Sequence, residues 1–230
     1  MTIDPTTTLL LAVDVQNDFC PGYTSLSGIL MPDGALAVSF GDKVITPLNT
    51  LAAAFSAAGG WVVATQDWHP EGHISFASSH PGKAPGDIVK LDNDLEQVLW
   101  PKHCVQGWRG ANFHDKFDRR PINLIIRKGF RKGLDSYSAF YENDRQTPTG
   151  LEGYLLRLGI QTVIIGGLAT DYCVLYSAMD CIRLGYTVYV PEDAVRGVNI
   201  PSGSVEQAVE KMQAAGIIFT DSYQLIKGII

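Results

Sequence analysis

Gly166-Gly-Leu-Ala-Thr-Asp-Tyr-Cys-Val174 joins a short apolar strand, Thr162 to Ile165, to a helical run from Asp171 to Leu184. In that run Val174, Ala178, Cys181 and Ile182 recur near helical spacing, so the stretch reads as a strand–turn–helix junction with Cys173 in the first helical turn. Thr170 is placed to cap the helix. Unpaired N–H groups and the positive end of the helix dipole would then lie beside the sulfur, lowering the thiol pKa and offering donors to an oxyanion. A small buried cysteine packing a helix on a sheet is the other reading of the same residue.

Working outward, the strand–helix alternation continues in both directions. Thr8 to Val15 is a continuous apolar run interrupted by Asp14 and followed by Gln16, Asn17 and Asp18. Asp42 is placed to cap a helix from Lys43 to Ala58 that Gly59-Gly60 ends, and a strand follows at Trp61 to Thr65 with Gln66-Asp67-Trp68-His69 leaving it. Ile122 to Arg127 is the next strand, with Lys128 after it. Thr149-Gly-Leu-Glu152 has capping-box spacing for a helix to Arg157. After the Cys173 junction come a strand at Thr187 to Val190, a helix from about Ser204 to Ala215, and a strand at Ile217 to Thr220. Strands apolar throughout and alternating with helices predict an α/β fold of three layers: a mostly parallel sheet with helices on both faces.

Two segments break the pattern. Pro21 to Gly41 is rich in Gly, Ser and Pro and reads as a long surface loop; Pro70 to Arg120 is irregular apart from a short helix expected around Asp94 to Leu99. An irregular segment of that length is usually functional. No repeat or linker divides the chain, so residues 1–230 are expected to form one domain.

Composition narrows the class. The 230 residues are 46% hydrophobic with a formal net charge of -6, which argues against nucleic acid or an anionic membrane surface as partner. Without a signal-like N-terminus or a spanning apolar run, a soluble cytoplasmic protein is expected. Four cysteines without Cys-x-x-Cys spacing suit reduced thiols.

In open parallel sheets, ligands bind outside the carboxyl ends of the strands. Asp14, Asp67 with His69, Lys128 and Cys173 each leave a different strand at that end. Asp14 would take the thiol proton, Lys128 would stabilise the thiolate and orient the carboxylate, and Cys173 would attack. Taken singly, Asp14 could be a loop carboxylate and Lys128 a solvated charge. Asp67 and His69, two apart in extended chain, can face one ion, and a third histidine from the loop, His73 or His103, would leave positions open for water or substrate. Cys104, adjacent to His103, reads as packing.

Together these residues resemble the nicotinamidase branch of the isochorismatase-like cysteine hydrolases. The matching segments are Ala12-Val-Asp-Val-Gln-Asn-Asp-Phe-Cys-Pro-Gly22, Thr65-Gln-Asp-Trp-His-Pro70, His73-Ile-Ser-Phe-Ala77, Trp100-Pro-Lys-His-Cys-Val105, Lys128-Gly129, Asp135-Ser-Tyr-Ser-Ala-Phe140 and Gly167-Leu-Ala-Thr-Asp-Tyr-Cys-Val174. The resemblance implies hydrolysis of nicotinamide to nicotinate and ammonia for NAD salvage, with Asp14, Lys128 and Cys173 as catalytic triad. It further implies Asp67, His69 and His103 as ligands of a divalent metal (zinc, iron or manganese), with His73 an extra ligand or a support behind them. A cis peptide between Leu168 and Ala169 is implied too, the N–H groups of Ala169 and Cys173 forming the oxyanion hole, and Phe19, Trp100 and Tyr137 walling the pyridine pocket. Tyr23 to Asp33 departs from the family pattern as an insertion before Gly34-Ala-Leu-Ala-Val38. It leaves substrate range and assembly, including a homo-oligomer, open. The alternatives are another amidase of the superfamily, acting on a carbamoyl or ureido substrate, and a non-catalytic metal-binding protein of the same fold.

Overall fold

The computed structural model describes residues 2–92 and 94–229. In chain order the elements are β1 (Thr8–Val13), β2 (Tyr23–Thr24), β3 (Leu30–Met31), α1 (Ile45–Ala57), β4 (Trp61–Asp67), β5 (Ile88–Lys90), β6 (Glu96–Val98) and β7 (Leu124–Lys128). They continue with α2 (Leu151–Leu158), β8 (Thr162–Leu168), α3 (Leu175–Arg183), β9 (Thr187–Pro191), β10 (Val195–Arg196), α4 (Ser204–Ala214), β11 (Ile218–Thr220) and α5 (Ser222–Gly228). The main sheet has the order β11-β9-β8-β1-β4-β7, with β10 joined to the end of β8, and its pairings are parallel.

Side chains alternate across β1 between two cores, which is why the strand is apolar at every position. Leu10 and Ala12 pack with Leu48, Leu51 and Phe55 of α1 and Leu225 of α5. Leu9, Leu11 and Val13 pack on the opposite face with Leu155 of α2, Ala178 and Cys181 of α3, and Met212 of α4. Each such aliphatic or aromatic side chain contributes about 1.5–3 kcal/mol by leaving water. The expected three-layer α/β architecture is the one observed, and no helix among the described residues is long and apolar enough to cross a membrane.

Several local expectations are corrected. Strand β4 runs two residues beyond Thr65 to Asp67, β8 runs to Leu168, and β7 includes Lys128, so the polar residues expected after the strands are in part their last rungs. The helix expected at Asp94 to Leu99 is instead an antiparallel hairpin of β5 and β6, in which Gln97 is buried while Glu96 is exposed, a period of two. Asp42 does not cap α1; a 3₁₀ turn, Gly41–Val44, leads into the helix. The reciprocal capping box at Thr149 is not made: Thr149 Oγ1 accepts from Leu151 N at 3.3 Å and donates to Ala139 O at 2.6 Å, while Glu152 accepts from Tyr141 at 2.8 Å and the Thr149 N–H donates to Phe140 O at 2.9 Å. The Pro21 to Gly41 segment contains the small β2–β3 hairpin. Helix α5, absent from the sequence expectations, begins at Asp221, whose carboxylate accepts from Gln224 N at 2.7 Å.

Candidate active site

Parallel register brings the strand ends together. Asp67 and Lys128 are directly paired neighbours on β4 and β7, while β1 lies between β4 and β8, so Asp14 leaves the sheet between Asp67 and the Cys173 turn. Asp14 adopts a positive φ of 48°, and one hydroxyl grips both its side chain and its backbone. Thr65 Oγ1 donates to Asp14 Oδ1 at 2.6 Å and accepts from the Asp14 backbone N at 3.1 Å.

The Lys128 ammonium is fully buried and has four neighbours. It lies 2.8 Å from Asp14 Oδ2, 2.5 Å from Asp67 Oδ1, 3.0 Å from the Ser136 carbonyl and 3.2 Å from Cys173 Sγ. Burial disfavours its charge, but the two carboxylates outweigh that and hold its pKa well above the usual lysine range. Burial likewise works against ionised Asp67, yet Lys128 and then His69 keep this carboxyl far below its ordinary range. Asp14 goes the other way: burial raises its pKa, and the attraction of Lys128 only partly offsets this.

Cys173 corrects one sequence expectation. Residues Thr170–Val174 form a π-helical turn ahead of α3, flanked by Ala169, and no side chain caps it, so the Thr170 cap is not formed. Val174 N reaches back to Ala169 O at 3.1 Å, the wider spacing of a π turn. The thiol pKa is raised well above the usual value rather than lowered: burial dominates, the nearby carboxylates add to it, and Lys128 opposes. The resting sulfur therefore keeps its proton, beside a carboxylate whose own proton affinity burial has increased.

A second cluster shares Asp67. His69 Nε2 and His103 Nε2 lie 3.6 and 3.9 Å from Asp67 Oδ2. The other ring nitrogens donate to carbonyls, His69 Nδ1 to Gly129 O at 2.8 Å and His103 Nδ1 to Pro101 O at 2.7 Å, so that in the neutral ring the lone pair is on Nε2, toward the carboxylate. Burial, reinforced by His69, pushes the His103 pKa down to about 4; for His69 burial is outweighed by Asp67 and the pKa rises. One carboxylate oxygen and two imidazole nitrogens within 4.8 Å of one another are a donor set that fits a divalent ion with coordination positions left for other ligands. His73 stands apart from that set. Its ring stacks on His69 at 4.2 Å, and its nitrogens contact Ser75 Oγ at 2.7 Å and Leu134 O at 3.4 Å.

Both clusters open into one cavity lined by Phe19, Leu36, Asp67, His69, Trp100, His103, Asp135, Tyr137, Ala169, Tyr172, Cys173 and Val198. Trp100 meets Tyr172 edge to face at 4.8 Å, and the Tyr137 hydroxyl accepts from Gln97 Nε2 at 3.2 Å and from Trp100 Nε1 at 3.1 Å. The Leu168–Ala169 peptide is cis, as the resemblance implied. Of the site residues expected from the sequence, all but Asp14, Lys128 and His73 line this cavity; Lys128 contacts Asp67 and Cys173, Asp14 contacts Lys128, and His73 stacks on His69.

Sequence reasoning missed the supports. The Gln16 amide clamps the backbone of Asp67 from both sides, Nε2 donating to Asp67 O and Oε1 accepting from Asp67 N, each at 2.9 Å. Asp171 accepts from Val198 N, Asn199 N and Ser204 Oγ, fixing the loop that brings Val198 to the cavity. Tyr172 donates to Ile200 O at 2.7 Å and lines the wall. Their only signal was position: Gln16 lies two residues after Asp14, and Asp171 and Tyr172 immediately precede the nucleophile candidate.

Comparison with known proteins gives the same assignment. A family model described as "Isochorismatase domain" matches residues 8–224. The chain is 47% identical over 208 residues to a nicotinamidase of Acinetobacter baylyi, covering 90% of this chain and 89% of that one. Among solved structures it is similar to an Acinetobacter baumanii nicotinamidase/pyrazinamidase, with TM-score 0.86, 46% identity, and coverage of 96% of this chain and 99% of that one. It is also similar to a Pyrococcus horikoshii pyrazinamidase in complex with zinc, with TM-score 0.71, 34% identity, and coverage of 94% and 99%. By sequence, by fold and by the side chains gathered at its strand ends, the chain belongs to the isochorismatase-domain family, on its nicotinamidase branch.

Proposed function

We infer that this chain is a nicotinamidase, hydrolysing the amide C–N bond of nicotinamide to give nicotinate and ammonia, with Asp14, Lys128 and Cys173 as its catalytic groups. The observation that carries the reading is the contact of Lys128 with Asp14, Asp67 and Cys173 at once, at 2.8, 2.5 and 3.2 Å, with Asp67 and Cys173 lining an aromatic-walled cavity. The 47% identity to a nicotinamidase over nine-tenths of both chains supports the substrate.

The chemistry follows from the protonation states. Cys173 gives its proton to Asp14 as sulfur attacks the carboxamide carbon, and Lys128 offsets the charge that builds on sulfur. Backbone N–H groups of Ala169 and Cys173 hold the oxyanion. Asp14 then passes the proton to the departing nitrogen, ammonia leaves, and a thioester remains. Water, deprotonated by Asp14, attacks that thioester; nicotinate is released and the proton returns to the sulfur. Phe19, Trp100 and Tyr137 sandwich the flat ring and exclude water.

Asp67, His69 and His103 would hold the divalent ion, and zinc in the Pyrococcus protein supports that metal class. Bound there, the ion supplies a Lewis acid for the pyridine nitrogen. His73 braces the His69 ring. The single main sheet supports reading residues 1–230 as one catalytic domain, and four free thiols suit a reducing compartment such as the cytoplasm.

The test is ammonia release from nicotinamide by Cys173→Ala. A loss of at least ~10³-fold with an unchanged melting temperature is expected for a removed nucleophile; an undiminished rate removes the assignment.

A further inference from the structure

Cys104 connects the two imidazoles. It follows His103 in the chain, its carbonyl accepts from His69 N at 3.0 Å, and its φ is 46°. A non-glycine residue in the left-handed region persists only where its surroundings hold it. The group holding its N–H is the Asp18 carboxylate, Oδ2 accepting at 2.7 Å. A carboxylate on a backbone N–H makes a stronger bond than a neutral acceptor.

The other side of Asp18 faces the segment after the insertion. Oδ1 accepts from Ala35 N at 3.2 Å, the Asp18 carbonyl accepts from Leu36 N at 2.9 Å, and Leu36 lines the cavity. Gly110 makes room for this: a Cβ there would lie 1.9 Å from Asp18 Oδ2.

We propose that Asp18 is a positioning residue whose carboxylate sets the His69–His103 spacing through Cys104 and the cavity wall through Ala35, the neighbour of Leu36, so that one carboxylate links metal affinity to ring binding. Asp18 touches neither the ion nor the substrate. The proposal rests on reading Asp67, His69 and His103 as the metal donors.

The experiment measures zinc affinity of the full-length, chelator-stripped protein by competition with a chromophoric chelator, for wild type, Asp18→Ala and Asp18→Asn. Circular dichroism reports folding, and kcat and KM for nicotinamide are taken at saturating zinc. Asp18→Ala should weaken zinc binding by about 10–100-fold, the range for groups that orient metal ligands. Asp18→Asn, which keeps one acceptor oxygen, should fall between. At saturating zinc KM should rise in Asp18→Ala while kcat is nearly restored. Unchanged zinc affinity in folded Asp18→Ala overturns the role of Asp18 alone; a wild type that binds no zinc overturns the donor assignment as well. Should Asp18→Ala not fold, Gly110→Ala decides the matter, because its methyl displaces the carboxylate with residue 18 intact, and unchanged zinc affinity there overturns the proposal.

Discussion

Replacing Lys128 with methionine removes the ammonium shared by Asp14, Asp67 and Cys173 while keeping most of the side-chain volume. Both carboxylates are buried, so the change leaves them facing each other across the space the ammonium filled, with the His69 ring offsetting only part of the charge on Asp67. Breaking a buried ion set by removing one partner costs about 3–5 kcal/mol. At about 2–4 °C per kcal/mol for a chain of this size, the melting temperature should fall by roughly 6–20 °C. Part of the cost is relieved by proton uptake at Asp14, whose pKa burial has already raised and which loses the opposing pull of Lys128. A carboxyl with a folded pKa above its unfolded value destabilises the fold at high pH, and the penalty disappears as pH falls through the folded pKa. The gap between wild type and Lys128→Met should accordingly narrow from pH 8 to pH 5. A protonated Asp14 cannot accept the thiol proton, so ammonia release at pH 7 should drop by about 10²–10⁴-fold. Scanning calorimetry on metal-stripped protein and a coupled ammonia assay measure both effects. A melting temperature within about 2 °C of wild type at pH 7, or undiminished turnover, would refute the reasoning.

Thr65→Val deletes the hydroxyl that bonds the ionised form of Asp14, so the acid limb of the kcat/KM profile should move to higher pH, with a stability loss of about 1–3 kcal/mol; an unmoved limb would count against Asp14 as base. Dialysis against a chelator should suppress nicotinamide turnover and zinc should restore it, while added zinc at 100 times its dissociation constant should raise unfolding stability by about 2.7 kcal/mol. Full activity of protein verified as metal-free by atomic absorption would remove the ion from the reaction. His114 is buried, its Nδ1 accepts from Lys116 N at 3.2 Å, and burial pushes its pKa down from 6.5 to about 4. Because the folded pKa is depressed, protonation favours the unfolded chain, and stability should fall as pH drops from 6.5 toward 4 by no more than about 3 kcal/mol. Urea melts of wild type and His114→Gln across that range check this; parallel curves would contradict it.

The chemistry-bearing residues were legible because strand ends are legible. Continuous apolar runs mark strands buried on both faces, and a parallel sheet carries whatever follows them to one rim, so Asp14, Asp67, Lys128 and Cys173 could be grouped without coordinates. The environment of the thiol was not legible. Helix position argued for a lowered pKa, but burial, a property of the assembled core, raises it. Thr65, Gln16 and Asp18 hold groups 51, 51 and 86 positions away, and no local pattern announces contacts at that separation. Around Asp94 to Leu99 the apolar residues Leu95, Val98 and Leu99 fall at helical spacing, which suited a helix. The hairpin prevailed because it buries Gln97, whose Nε2 reaches Asp135 at 3.1 Å and Tyr137 at 3.2 Å.

Strand β7 ends one side of the sheet and, among the described residues, is paired only with β4. Fraying at such a margin is ordinarily the cheapest motion a sheet can make. Here peeling the last residues away would drag Lys128 out from between Asp14 and Asp67 and expose their mutual repulsion, so the same charges that prepare the sulfur also lock the margin shut. Amide protons near Lys128 should therefore exchange more slowly than those at the opposite margin, β11, where no such electrostatic latch exists among the described residues.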